Sequence, residues 1–175
     1  MKTSNKLINL VIAALMAALC CVATLVMQIP TPTGGFVNLG DTVIILSAFL
    51  LSPVYAAAAA GLGSMLADLL AGYAQYAPAT FVIKALMALI AWLILSCTKK
   101  LSDKNNITSL ICTILSGVCA EALMITGYFV FEAFILSYGV GGALASVLPN
   151  AMQGIAGIVG GTLLCEVLKR TKIKK

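Results

Sequence analysis

Between its polar ends the chain is a succession of apolar runs, separated from one another by only a few polar residues. A hydrocarbon layer about 30 Å thick takes about 20 apolar residues per helix. The pattern predicts six spans, at roughly Leu7 to Ile29, Thr42 to Leu51, Val54 to Gly72, Pro78 to Cys97, Ile107 to Leu136 and Ala143 to Leu168. The second is only half a span before Ser52-Pro53, so it is expected either to tilt or to run on through the proline as a kinked helix. The fifth is longer than a bilayer needs, which predicts tilt or a protruding end. The first is read as a retained span, because its apolar stretch exceeds the roughly 7 to 15 residues of a signal-peptide core and no small-residue cleavage site ends it.

Composition agrees with the pattern. Of 175 residues, 61% are hydrophobic and 10% charged, with a mean hydropathy of +1.07, whereas soluble domains carry roughly a quarter charged residues. The expected fold is an all-α integral membrane protein, a compact bundle of six transmembrane helices forming one domain over residues 1–175, with no room for a soluble domain. Basic residues orient it. Lys2 and Lys6 precede the first span, Lys99, Lys100 and Lys104 lie between the fourth and fifth, and Lys169, Arg170, Lys172, Lys174 and Lys175 follow the sixth. With six spans all of these fall on one side, so both termini are expected in the cytoplasm of a prokaryotic-type cell. The net charge of +5 then reflects topology and anionic headgroups, and gives no case for nucleic acid.

Against this apolar background each buried charge needs an explanation. Lys84 lies less than two turns below the outer end of the fourth span, and an ionised group at mid-bilayer costs about 2.5 to 3.5 kcal/mol on insertion scales. It needs a carboxylate partner. Asp68 matches it in depth on the adjacent span, and Glu121 is the other candidate. At about 100° per residue, Glu121, Tyr128 and Glu132 share one stripe of the fifth span. In the sixth, Asn150, Gly154, Gly157 and Gly161 share a face with Gln153 beside it, which predicts close helix approach towards the cytoplasm and amide groups farther out. With Asp41 at the outer mouth of the second span, the polar set gathers in the outer half.

The segment PTPTGGFVNLGD, Pro30 to Asp41, is the one long outer connection and carries no lysine or arginine. Its glycines give hinge freedom and its prolines stiffness, so it is expected to close as a lid, with Phe36, Asn38 and Asp41 over a ligand. Tyr73 and Tyr76 read as interfacial aromatics, with ring stacking the sharper alternative. Small residues at Ala13 and Ala17, and at Ala14 and Ala18, offer a packing or docking face on the first span. Cys20, Cys21, Cys97, Cys112, Cys119 and Cys165 sit in or at the ends of spans without CxxC spacing, in a chain without histidine. They read as packing residues, and no metal site is expected. There is no phosphate-binding loop and no nucleophile–base pair, so neither catalysis nor a cofactor is expected, and the chain needs no more than a carrier or recognition role.

Taken together, G-x-V-N-L-G-D, A-D-x-x-x-G-Y, A-P-A-T-x-x-x-K and P-N-x-x-Q, spread over most of the chain, resemble the substrate-binding S components of energy-coupling factor (ECF) vitamin transporters. The likeness is to the riboflavin-type branch that includes putative hydroxymethylpyrimidine and pyridoxine transporters. The resemblance implies a six-helix cell-membrane protein that binds a vitamin near the outer face under the loop after its first helix. It implies delivery by toppling in a complex with a coupling membrane protein (the T component) and two cytosolic ATPases. Asn38, Asp41, Lys84, Asn150 and Gln153 would bind the substrate, with Glu121 and Tyr128 added from helical phase, and the AxxxA pattern at Ala13/Ala17 or Ala14/Ala18 would meet the coupling protein. Pyridoxine or hydroxymethylpyrimidine is expected ahead of riboflavin, because few aromatic residues are available for a flavin. The rival readings are a self-sufficient ion-coupled carrier relaying through Asp68, Lys84 and Glu121, and a structural membrane subunit whose polar groups only join helices.

Overall fold

A computed structural model describes residues 2–102 and 105–171, with side chains from Lys6 onward. Helix α1 (Lys2–Val26) leads into a short antiparallel hairpin, β1 (Ile29–Pro30) and β2 (Phe36–Val37), followed by α2 (Gly40–Leu50), α3 (Pro53–Leu70) and α4 (Ala77–Cys97). A short α5 (Lys99–Ser102) connects to α6 (Asn106–Val130), which continues as a π-helical turn (Phe131–Ile135) before α7 (Gly139–Arg170). Long helices α1, α3, α4, α6 with its π turn, and α7 are each long and apolar enough to cross a membrane. Their outward faces are apolar, with Leu15, Leu70, Phe134, Leu148 and Ile155 among the exposed side chains.

The bundle is built around a short helix. α2 has 11 residues and rises about 16 Å, half of a bilayer core. It is apolar on every side because it is buried on every side, touching α1, α3, α4 and α7. Ile44 and Ile45 are fully enclosed. The expected second span is therefore a half-length central rod, neither a tilted span nor a helix kinked through Pro53. Leu51 and Ser52 are extended (ψ 161° and 160°), and Pro53 opens α3 as its first residue, where the missing N–H is harmless and φ is already helical.

Glycines set how closely the other helices approach. A Cβ on Gly161 would stand 2.8 Å from the Ile45 Cβ, and one on Gly157 2.9 Å from the Asp41 Cβ, so the glycine face of α7 is what lets α2 lie against it. Likewise a Cβ on Gly63 of α3 would meet the Ala17 carbonyl of α1 at 2.4 Å. This contact separates the two alanine pairs of the first helix. Ala13 is buried and Ala17 half-buried against the core, whereas Ala14 and Ala18 are exposed. Only the second pair faces outward. Lys6, Lys99, Lys100, Lys169 and Arg170 fall at the end of the bundle opposite the hairpin; Lys104, Lys172, Lys174 and Lys175 lie outside the described residues, as does the Lys2 side chain.

Candidate functional site

The segment 30–41 is an ordered hairpin and turn. Ile29 pairs with Val37 and Pro30 with Phe36, and the tip closes through Thr31 N–H to the Gly35 carbonyl (2.9 Å) and Gly35 N–H to the Thr31 hydroxyl (3.1 Å). Gly34 holds the left-handed position (φ 78°) that the tip requires. Beyond β2 the chain dips into the bundle. The Asn38 carboxamide oxygen accepts from Gly40 N–H at 2.8 Å, ordering the first turn of α2. A side chain at Gly40 would collide with Thr24, whose Oγ1 stands 2.3 Å from the ideal Cβ position.

Three helices meet under that turn. Asp41, in the first turn of α2, is fully buried and forms an ion pair with Lys84 of α4. Its second oxygen accepts from the Gln153 amide of α7, and the Gln153 carbonyl oxygen accepts the Asn38 backbone N–H at 2.8 Å. The hairpin is thus tied to the buried lysine through one glutamine. Lys84 also lies 5.6 Å from the centre of the Tyr128 ring, a cation–π contact that strengthens as water is excluded. The partner of Lys84 is therefore neither Asp68 nor Glu121. Sequence depth alone favoured Asp68, but α2 starts below the hairpin, inside the bundle, and this brings Asp41 level with Lys84.

A second junction sits beside the first. The π turn carries Glu132, whose Oε1 accepts from the Thr33 hydroxyl at 2.8 Å and from the Tyr76 hydroxyl at 3.1 Å, while Oε2 accepts from Ser146 of α7. Tyr76 also donates to the Thr33 carbonyl at 2.8 Å. Burial, and next the nearby Glu132 carboxylate, raise the Tyr76 phenol above its ordinary range, which keeps it a donor at neutral pH. Glu132 thereby ties the hairpin tip, the α3–α4 connection and α7 together.

Between the junctions lies a cavity. From the expected set, Asn38, Lys84, Tyr128, Asn150 and Gln153 line it; Thr24, Thr31, Ser64, Asp68, Tyr73, Tyr76, Thr80 and Glu132 complete its polar wall, with Phe36 over it. It is small, leaving about 30 Å³ for the centre of a water-sized sphere. Asp41 stands behind the wall, holding Lys84 and Gln153. Glu121 lies deeper, in the notch left by Gly154 and Gly157, and neither of its oxygens has a hydrogen-bond partner among the described residues. Tyr73 packs against Phe36 with ring centres 4.7 Å apart and the rings tilted by 55°, and the Thr80 hydroxyl bonds that of Tyr128 at 3.0 Å. Glu132 was visible in sequence on the same stripe as Tyr128, and Asp68 as a charge in an apolar run. No sequence signal singled out Thr24 or Ser64, since hydroxyls are common in membrane helices, nor Thr31 within its loop, and Thr80 entered only as one letter of A-P-A-T-x-x-x-K.

Comparison with known proteins gives this arrangement a family. An uncharacterized protein of Pyrococcus woesei is 36% identical over 151 residues, which is 85% of this chain and 93% of that protein. The thiamine precursor transporter HmpT of Lactococcus lactis is 29% identical over 145 residues, 83% of this chain and 76% of that protein. The family model for the S component of ECF-type riboflavin transporters matches residues 4–170. The chain therefore belongs to the family of ECF-type transporter S components, and is a multi-pass subunit of a cell-membrane transporter.

Proposed function

We propose that the protein captures a small heteroaromatic vitamin or vitamin precursor in the cavity beneath residues 30–41. The observation that carries this reading is the double tie of the hairpin. Gln153 joins Asn38 to the Asp41–Lys84 pair, and Glu132 joins Thr33 to Tyr76 and Ser146. A segment anchored over a polar cavity by side chains from several helices can open by exchanging those hydrogen bonds for water, and close again over a ring.

In this reading the hairpin end faces the exterior and the basic end, with both termini, faces the cytoplasm. Asn38, Lys84, Tyr128, Asn150 and Gln153 contact the ligand, Asp41 fixes the charge and direction of Lys84, and Phe36, Tyr73 and Tyr76 supply ring faces. Substrate binding favours the closed hairpin because only that state surrounds the ligand, and the shift is limited by the difference in affinity between the two states. Delivery follows by toppling of the loaded subunit against a coupling membrane protein energised by two cytosolic ATPases. The small size and polar wall of the cavity favour pyridoxine or hydroxymethylpyrimidine over riboflavin.

Mass spectrometry of small molecules released from the protein purified in mild detergent tests this directly. A stoichiometric vitamin or precursor is expected, released on Lys84→Met substitution. In liposomes the protein alone is expected to bind without accumulating substrate. Uptake sustained without ATPases and abolished by an uncoupler would instead assign an ion-coupled carrier.

A further inference from the structure

The carboxylates of the hairpin half of the bundle are not equivalent. Asp41 has both oxygens engaged, by Lys84 and Gln153, and Glu132 has both engaged, by Thr33 and Tyr76 on one side and Ser146 on the other. Glu121 does not line the cavity. Asp68 does line it, is 5% exposed, and its buried Oδ2 has no hydrogen-bond partner among the described residues. A buried acceptor left unsatisfied carries the full cost of its desolvation, greatest for a charged group, so such an atom calls for a reason.

Backbone geometry holds Asp68 in that position. α3 ends in a Schellman closure, with Tyr73 N–H bonded to the Asp68 carbonyl at 2.8 Å and Gly72 in the left-handed conformation (φ 86°). The Asp68 backbone is thereby fixed at the cavity wall. Lys84, the nearest cation, is committed to Asp41. The hydroxyls nearby are shared with other groups, Ser64 with Cys20 at 3.4 Å and Thr80 with Tyr128 at 3.0 Å, and neither reaches the Asp68 Oδ2.

We propose that Asp68 is the ligand-reading carboxylate of the site, and that the ligand presents an N–H donor to it: an amino-substituted or protonated nitrogen heteroaromatic, not an acid or a phosphorylated compound. This deepens the vitamin-capture reading and rests on it. The aromatic wall of Phe36, Tyr73, Tyr76 and Tyr128 selects for a flat ring, and Asp68 decides which edge of the ring is accepted. A donor edge would satisfy Oδ2 with a charge-assisted bond. A carbonyl edge at the same place would leave two acceptors facing each other.

The test is a binding titration of wild type and Asp68→Asn in detergent. The probes are 4-amino-5-hydroxymethyl-2-methylpyrimidine and its 4-oxo analogue, beside pyridoxine and riboflavin. Wild type is expected to prefer the amino over the oxo compound by about 10- to 100-fold, the range of one charge-assisted bond. Asp68→Asn, which can turn an N–H into the cavity, is expected to lose that preference or reverse it while keeping the melting temperature within a few degrees. A merely structural aspartate would lower affinity for both probes alike. Equal preference in wild type and variant overturns the assignment of Asp68 while leaving vitamin capture standing, as does tighter wild-type binding of the 4-oxo than of the 4-amino compound. Absence of wild-type binding to all four probes overturns both.

Discussion

Two lysines at opposite ends of the bundle are built from the same parts. Lys84 has Asp41 as its ion partner and the Tyr128 ring 5.6 Å away; Lys169 has Glu166 at 2.6 Å and the Phe49 ring 5.5 Å away. Depth separates them. The Lys84 side chain is 3% exposed and its partner fully buried, while Lys169 and Glu166 are 25% and 21% exposed, with Ser109 and Thr113 also accepting from the ammonium at 2.7 and 3.1 Å. At the rim water can replace any partner, so such a pair is worth about 0 to 1 kcal/mol. Within the bundle nothing replaces Asp41, and removing one partner of a buried pair costs about 3 to 5 kcal/mol because the other charge is stranded.

The cavities at the two ends make the same point. The basic end holds the larger one, with about 370 Å³ for the centre of a water-sized sphere against about 30 Å³ under the hairpin. Yet its wall is chiefly Ala48, Phe49, Leu50, Trp92 and Leu95, with Lys99, Lys169 and three serines around them. That space lies at the end of the short central helix, whose Ala48, Phe49 and Leu50 line it. Converging buried polar groups, not space, distinguish the hairpin end.

The largest effect is expected at the deep lysine. Lys84→Met should lower stability by about 3 to 5 kcal/mol and weaken ligand binding by at least about 100-fold. Adding Asp41→Leu should recover most of the melting temperature and none of the binding, read by thermal unfolding and titration on the same samples. Recovery of both would mean that the pair serves stability alone. Gln153→Leu should come next, with about 10-fold weaker binding and faster hydrogen exchange at the Asn38 amide. Unchanged exchange there would break the link between hairpin and lysine.

The alanine pairs sharpen the comparison on the outer surface. Ala13→Leu overfills the interior and should destabilise by about 1 to 3 kcal/mol, whereas Ala14→Leu should leave stability and ligand affinity intact while weakening assembly with the coupling protein, measured by co-purification. The smallest effect is expected at the shallow lysine. Lys169→Met should change stability by less than about 1 kcal/mol and binding by less than about twofold; a loss as large as that of Lys84→Met would show that depth is not what separates the two.

Much of the site was legible before any coordinates. Lys84, Asn150 and Gln153 stand out because a polar residue in an apolar helix has few possible reasons to be there, helical phase puts Tyr128 and Glu132 on one stripe, and Asn38 lies in the one long outer connection. The lid segment was legible as a Gly- and Pro-rich interruption, though not as a hairpin. What misled was depth: counting residues down from the outer boundary assumed that every helix starts there, and α2 does not.

The sequence alone determined the helices and the half of the bundle that holds the polar groups, because apolar run length and 3.6-residue periodicity are local properties of the chain. Tertiary structure decided that α2 lies at the centre, that Asp41 rather than Asp68 or Glu121 neutralises Lys84, and that Asp68 keeps an open oxygen on the cavity wall. Those outcomes depend on how helices are rotated and staggered against one another. Inside a membrane that is set by close packing of small residues such as Gly63, Gly157 and Gly161, a relation between distant segments that no single stretch of sequence carries.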